Sequence, residues 1–234
     1  MAQTKSPRHI AFIMDGNRRF AKRLMKDPTK GHDYGAKKIR RVYEWCKKAG
    51  VKELTFYAFS TENFNRPKRE LEYIMKVFHR EIGALLADPS VMKEGTRIRF
   101  IGRPYLFDIK LQRLMAELSE KTRKNKKFTM NFALGYGGRS EIVDATRRIS
   151  EAVANGALDV KDIDEKTVME HLYMSSEPDM VVRTGAEKRT SNFLIYQAAY
   201  SEWFFLDKFW PEIEEEDVLG CIREFRERER RFGR

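Results

Sequence analysis

His9-Ile10-Ala11-Phe12-Ile13-Met14-Asp15-Gly16-Asn17-Arg18-Arg19 is a short apolar run that stops at a carboxylate and opens into a glycine and two arginines. The apolar part, His9–Met14, is too short for an ordinary helix and carries no polar face, so it reads as a strand buried on both sides. Outward from it, helix-period segments alternate with further short runs. Ile39, Val42, Tyr43 and Cys46 recur at three- and four-residue spacing from Ala36 until Gly50 stops the pattern, which predicts an amphipathic helix. Leu54–Phe59 reads as the next strand. Leu71, Ile74, Met75, Phe78, Ile82 and Leu85 form a second helical stripe. Strands are then expected at Ile98–Ile101, Phe128–Leu134, Met180–Val182 and Phe193–Tyr196, and helices through Leu111–Leu118, Ile142–Val153 and Val218–Phe225. This alternation predicts a single α/β domain with a mostly parallel central sheet flanked by helices. No repeat or linker interrupts it, and residues 1–8 read as an N-terminal tail to a domain spanning 9–234.

Ligands of parallel α/β sheets bind beyond the carboxyl ends of the strands, so the segment after each strand is the place to look. Those segments are Asp15–Arg19, Ser60-Thr61-Glu62-Asn63-Phe64-Asn65-Arg66-Pro67, Gly102-Arg103, Gly135–Arg139 and Arg183-Thr184-Gly185, with Arg189 and Ser191 close behind. Arginine, glycine and small hydrogen-bonding groups recur on one edge, which points to one anion site with room for more than one phosphate. Gly16 allows close backbone approach, and Arg18 and Arg19 supply charge-assisted donors. Asp15 would repel a phosphate unless a cation lay between them, and a bridging Mg²⁺ removes that conflict. Alone, Asp15–Arg19 also reads as an ordinary strand-to-helix turn capped by Asn17; the similar loops after the other strands favour the anion site.

The formal net charge of +11 over 234 residues attracts polyanions: nucleic acid, an acidic membrane surface or phosphorylated small molecules. A nucleic-acid role fails on pattern, because aromatics should interleave with basic residues on an exposed sheet face and here they fall in core-like stripes. Gly135–Gly138 lacks dinucleotide spacing, and no Walker A sequence occurs. Cys46 and Cys221 lie far apart without metal-ligand spacing and read as buried free thiols. The N-terminus lacks an apolar region after its charges, and Phe193–Leu206 is too short and polar to span a bilayer, so a cytoplasmic protein is expected.

The order Met14-Asp15-Gly16-Asn17-Arg18-Arg19, Gly31-His32, Ser60-x-Glu62-Asn63-x-x-Arg66-Pro67, Gly137-Gly138-Arg139, Arg183-Thr184-Gly185 and Arg189-x-Ser191-Asn192-Phe193 resembles the cis-prenyltransferases, the undecaprenyl diphosphate synthase family. Tyr200-Ser201-Glu202 and Arg230-Arg231-Phe232-Gly233 extend the likeness. It implies condensation of isopentenyl diphosphate with a farnesyl or geranylgeranyl diphosphate primer to give a Z-polyprenyl diphosphate, a glycosyl carrier lipid precursor. Asp15 matches the essential Mg²⁺-binding aspartate and Glu202 a second metal-associated carboxylate. Gly16, Asn17, Arg18, Arg19 and Phe20 would hold the allylic diphosphate, with His32 and Arg66 assisting. Ser60 and Asn63, with Thr61, Glu62 and Phe64 around them, match the region tied to proton removal. Arg183, Arg189, Thr190 and Ser191 would grip isopentenyl diphosphate, and Arg231 and Gly233 resemble a terminal element that enters the neighbouring subunit's site in a homodimer. An apolar tunnel is required for the growing chain, with Ile13, Phe56, Ala58 and Phe132 as candidate linings. So hydrophobic a product also implies peripheral contact with a membrane at release.

Several positions depart from the bacterial pattern: Arg18 replaces a glycine, Phe20 and Phe64 replace tryptophans, and Pro28 stands where an arginine helps bind phosphate. Arg18 or Lys30 is a candidate to supply that charge. These departures bear on primer choice more than on reaction class. Competing readings are a non-catalytic partner subunit or an unusual-acceptor homologue, and a Mg²⁺-dependent phosphohydrolase. The first is opposed by the presence of Asp15, and the last by Asn17 where a second aspartate should stand.

Overall fold

All five residues of β1 (His9–Ile13) are buried, and they alternate between two apolar layers: Ile10 and Phe12 on one face of the sheet, Ala11 and Ile13 on the other. Only a strand covered on both sides needs this pattern. The computed structural model describes residues 6–228. After β1 come α1 (Asn17–Arg23), α2 (Gly31–Lys48), β2 (Glu53–Ser60), α3 (Lys68–Ala87), α4 (Pro89–Lys93), β3 (Thr96–Gly102), α5 (Ile109–Thr122), β4 (Phe128–Tyr136), α6 (Gly138–Ala154), α7 (Glu165–His171), β5 (Met180–Arg183), β6 (Glu202–Phe205) and α8 (Glu215–Glu227). The strands form one six-stranded sheet in the order β3-β4-β2-β1-β5-β6, every pairing parallel. The chain steps from β1 to β2 on one side and later returns to β5 on the other, so the crevice beyond β1, β2 and β5 is where a ligand is expected.

One core layer is organised by a ladder of phenylalanines in register across four strands. Phe12, Phe56, Phe132 and Phe100 stack with ring centroids 5.7, 5.7 and 5.8 Å apart. Fully buried Trp210 closes this ladder at Phe12, and its indole N–H donates to the Gly35 carbonyl of α2 at 2.9 Å. The helix stripes pack on this face through Val42, Cys46, Ile74, Ile82, Leu111, Met115, Leu118, Val218, Ile222 and Phe225. Cys46 and Cys221 are buried free thiols, as expected, and burial pushes the Cys221 thiol up to about 12.

One expected strand does not form. Phe193–Tyr196 lies in consecutive turns, and the final strand is Glu202–Phe205. Ser191, Asn192 and Leu194 have φ of 50°, 62° and 44°, a left-handed backbone incompatible with a strand. The apolar character of this segment comes instead from anchoring, since Phe193 and Leu194 are wholly buried in the second core layer. Of the tail, Ser6 accepts from Arg226 and the Arg8 N–H donates to Asp179.

Candidate active site

β1 delivers Asp15 just past the edge of the sheet, where its backbone and its side chain are both held. The Asp15 carbonyl accepts from Thr184 Oγ1 at 2.8 Å and from the Trp210 N–H at 2.9 Å. Its carboxylate takes Arg183 Nη2 at 2.9 Å on Oδ2 and Arg19 Nη2 at 3.1 Å on Oδ1. Gly16 turns the chain with φ of 101°, and a Cβ there would lie 2.6 Å from the Phe209 ring, so both conformation and space require glycine. Arg183 is 3% exposed and donates through Nη1 to Ser191 Oγ at 2.6 Å and to the Arg189 carbonyl. The left-handed Ser191 thereby has a use, turning its hydroxyl onto the guanidinium.

A second group of charges gathers around α3. Arg66 precedes Pro67, the N-cap of α3, and Glu70 follows one turn on. Glu70 accepts from Arg66 Nη1 at 2.8 Å, lies 3.4 Å from His32 Nε2, and pairs with Arg18 Nη1 at 3.5 Å. Burial first, then the Arg66 charge, hold the His32 imidazole below its ordinary range against the opposing pull of Glu70. Between the two groups, Ser60 and Asn63 brace one another: the Ser60 N–H donates to Asn63 Oδ1 at 3.1 Å and the Ser60 side chain caps the Asn63 N–H. Burial would raise the Glu62 carboxyl, yet bonds from its own N–H, Ser60, Asn192 and Thr61 hold it below the usual range.

Both groups face one cavity of about 570 Å³. Asp15, Asn17, His32, Ser60, Glu62, Asn63, Arg66, Arg183 and Ser191 line its polar end; Ile13, Ala58, Ile74, Phe78, Ile82, Leu85, Phe100 and Phe132 line the rest. A second cavity of about 210 Å³ lies between α2 and α3 toward α4, and Ala36, Ile39, Glu81, Leu85 and Phe132 border both. Of the tunnel residues expected, Ile13, Ala58 and Phe132 line the space, whereas Phe56 is sealed inside the ladder. The close approach of α1 to α2 at the polar end depends on Gly31, where a Cβ would sit 2.0 Å from the Asn17 carbonyl oxygen.

Other expected residues fall outside the cavity lining. Arg18 and Arg19 stand at its rim on Glu70 and Asp15, and Phe20 packs edge-on against Tyr34 with centroids 5.3 Å apart. Phe64 is wedged against Phe59 and Phe107, and Thr61 lies against Gly137. The Arg189 side chain pairs with Glu187, and Thr190 is exposed. Glu202 opens β6 level with Met180 and Ile10, at the amino ends of the strands, and binds Arg228 at 2.7 Å. Asp15 follows the opposite, carboxyl end of β1, whose last residue Ile13 lies three residues and roughly 10 Å beyond Ile10, so within one chain the two carboxylates stand at opposite ends of the sheet. Arg231 and Gly233 lie outside the described residues.

The loops after β3 and β4 also stay out of the site. Arg103 is held in a two-pronged pair with Asp144, at 2.9 Å for both bonds, and the Gly137-Gly138-Arg139 turn is filled by Asn192, which caps the Gly138 and Arg139 N–H groups. The polar lining of the cavity therefore comes from the segments after β1, β2 and β5, and not from all five loops. Sequence reasoning missed Glu70 and Trp210, and it named Thr184 only as part of a loop, without its bond to the Asp15 carbonyl. The four-residue spacing of Arg66 and Glu70 across a helix start was the available signal for Glu70; long-range partners such as Trp210 left none.

This fold and site define an α/β protein in which an arginine-bearing polar end opens into an apolar chamber. The chain belongs to the undecaprenyl diphosphate synthase family of prenyltransferases, whose model matches residues 13–233. It is 48% identical over 230 residues to the tritrans,polycis-undecaprenyl-diphosphate synthase (geranylgeranyl-diphosphate specific) of Pyrococcus abyssi, covering 97% of this chain and 87% of that one. It is 43% identical to an isoprenyl transferase of Thermus thermophilus, covering 97% and 89%. The crystal structure of lavandulyl diphosphate synthase from Lavandula x intermedia, in complex with dimethylallyl diphosphate, superposes with a TM-score of 0.90 at 31% identity, covering 98% and 99%. The expected family and fold are thus borne out, and the phosphohydrolase reading falls.

Proposed function

We propose that this prenyltransferase extends geranylgeranyl diphosphate with successive isopentenyl diphosphates to a Z-polyprenyl diphosphate, a precursor of a glycosyl carrier lipid. The observation that carries this reading is one cavity with charged and hydrogen-bonding side chains from two cationic groups at its polar end and an apolar lining over the rest. Two diphosphates need separate donors, and the Arg183–Ser191 group and the Arg18–His32–Arg66 group supply them. The geranylgeranyl diphosphate specificity of the Pyrococcus relative favours that primer over farnesyl diphosphate.

In this reading Gly16, Asn17, Arg18, Arg19, His32 and Arg66 hold the allylic diphosphate, while Arg183, Ser191 and the Arg189 loop hold isopentenyl diphosphate. The allylic carbon–oxygen bond breaks, and its electron pair leaves with the diphosphate, whose charge the arginines stabilise. The isopentenyl double bond attacks the freed carbon, and a proton departs beside the Ser60–Asn63 pair as the new Z double bond forms. Asp15 suits Mg²⁺: its carboxylate is part-exposed at the cavity mouth, and this cation typically takes one or two protein carboxylates and completes its shell with phosphate oxygens and water. Bound there, the ion would neutralise diphosphate charge. Arg183 and Arg19 fix the carboxylate in the meantime.

The test is incorporation of radiolabelled isopentenyl diphosphate into butanol-extractable product with each primer, with and without Mg²⁺, and with Asp15→Ala. Product requiring primer, metal and Asp15, and formed faster with geranylgeranyl than farnesyl diphosphate, is expected. Its absence from folded protein with every primer would overturn the reading. We further read the enzyme as a homodimer that touches membranes peripherally. Among the described residues no helix is long and apolar enough to cross a bilayer. Light scattering and liposome co-sedimentation test these two points.

A further inference from the structure

Glu70 is a carboxylate that the anion-binding reading leaves unexplained. It is 5% exposed, stands at the head of α3, and is absent from the cavity lining although two of its partners, His32 and Arg66, belong to that lining. Both of its oxygens are used: Oε1 by Arg66 Nη1 and His32 Nε2, Oε2 by Arg18 Nη1. These partners come from three segments, α1, the start of α2 and the loop after β2, which nothing in the local sequence obliges to converge. Without a counter-ion the two guanidiniums would repel each other and swing toward solvent. Glu70 engages Arg66 through a single nitrogen, leaving further N–H groups of that fork available to an incoming anion.

We propose that Glu70 is a positioning residue: it stands behind Arg18, His32 and Arg66 and fixes them, before substrate arrives, in the arrangement that receives the diphosphate of the allylic primer. The inference rests on the reading that these cations hold that diphosphate. Donors already in place do not have to be ordered by the substrate, so the effect falls on primer capture and not on isopentenyl diphosphate, whose donors sit around Arg183.

The experiment measures KM for geranylgeranyl diphosphate and for isopentenyl diphosphate separately, with kcat and thermal melting, in the wild type, Glu70→Gln, Glu70→Asp and Arg66→Ala. For Glu70→Gln the expected result is a primer KM raised about tenfold, with the isopentenyl diphosphate KM within about twofold of wild type. Glu70→Asp should recover most of the loss, because it restores the charge one methylene short. An unchanged primer KM in folded Glu70→Gln would overturn the proposal. A lowered primer KM would also overturn it, because Glu70 would then be competing with substrate for the cations. Equal losses for both substrates with a lowered melting temperature and no recovery in Glu70→Asp would reduce Glu70 to a structural role. An Arg66→Ala enzyme with wild-type primer KM would instead remove the diphosphate reading beneath the proposal, an outcome that Arg66 reports independently of Glu70.

Discussion

Arg183 donates to Asp15 at 2.9 Å from a guanidinium that is 3% exposed, and the same guanidinium holds Ser191 on its other nitrogen. The metal-binding candidate and the isopentenyl diphosphate candidates are therefore parts of one hydrogen-bonded unit that bridges β1, β5 and the following loop. A carboxylate that compensates a buried charge cannot be removed for function alone; its loss also affects the fold.

Asp15→Ala and Asp15→Asn should separate these two roles. Asn retains a carbonyl acceptor for Arg183, so its stability should stay near wild type while condensation falls about a hundredfold or more, because the neutral amide no longer binds Mg²⁺ well. Ala leaves Arg183 short of an acceptor and should lower unfolding free energy by about 2 kcal/mol as well. Urea denaturation beside the radiolabel assay reads both, and equal stability losses in the two variants would refute the distinction.

Gly31→Ala tests the α1–α2 contact. Its Cβ would meet a backbone oxygen, which cannot rotate away, so α1 must shift and take Asn17, Arg18 and Arg19 with it. A cost of about 1–3 kcal/mol is expected from overpacking, together with a large rise in primer KM. A variant with wild-type kinetics would show that α1 is free to move without consequence.

The main strands and long helices were legible because both faces of the sheet are covered and each helix buries one stripe; Ile10 against Ala11 and Val42 against Cys46 carry that signal in the chain itself. The short helices α1, α4 and α7 were not, since two turns or fewer leave no period to read. Phe193–Tyr196 failed for a different reason, its burial being that of an anchored turn with left-handed residues. At the site, the loop residues that line the cavity follow their strands closely and could be found by position, as Asp15, Ser60 and Arg183 were. Whether an arginine such as Arg103 or Arg189 faces the ligand or a carboxylate of its own depends on Asp144 and Glu187, and sequence spacing does not bring those partners together.

His9 sets a pH dependence of stability. It is 3% exposed, shares a 2.7 Å hydrogen bond with Thr55, and burial lowers its pKa against the opposing charges of Glu53 and Asp179. The unfolded chain then binds a proton that the folded chain resists, so stability rises with pH and is lost as pH falls below about 6.5. Glu141, whose carboxyl burial raises, contributes with the opposite sign at lower pH, and His32 with the same sign as His9. Comparison of wild type with His9→Gln isolates the one group: the variant should show a flatter stability profile between about pH 5 and 7. Parallel profiles in urea denaturation would show that His9 does not titrate on unfolding.

Product length should depend on Ala36. This residue of α2 borders both the 570 Å³ chamber and the 210 Å³ chamber, where the two meet the same side chains between α2 and α3. On the proposed reading, a growing chain held by its diphosphate near Asp15 and Arg66 would enter the second chamber past these residues once the first is full. Ala36→Phe places a ring between the chambers without touching the charged end, so initial primer KM should hold within about twofold while the product distribution shifts to fewer isoprene units. The converse substitution, Leu85→Ala, widens the same space and should shift it to longer ones at a stability cost of about 1–3 kcal/mol, reduced by partial exposure. Thin-layer separation of dephosphorylated products reads both shifts. Unchanged distributions in both variants would mean that the chain leaves the first chamber by another route and that the second is a packing gap between helices.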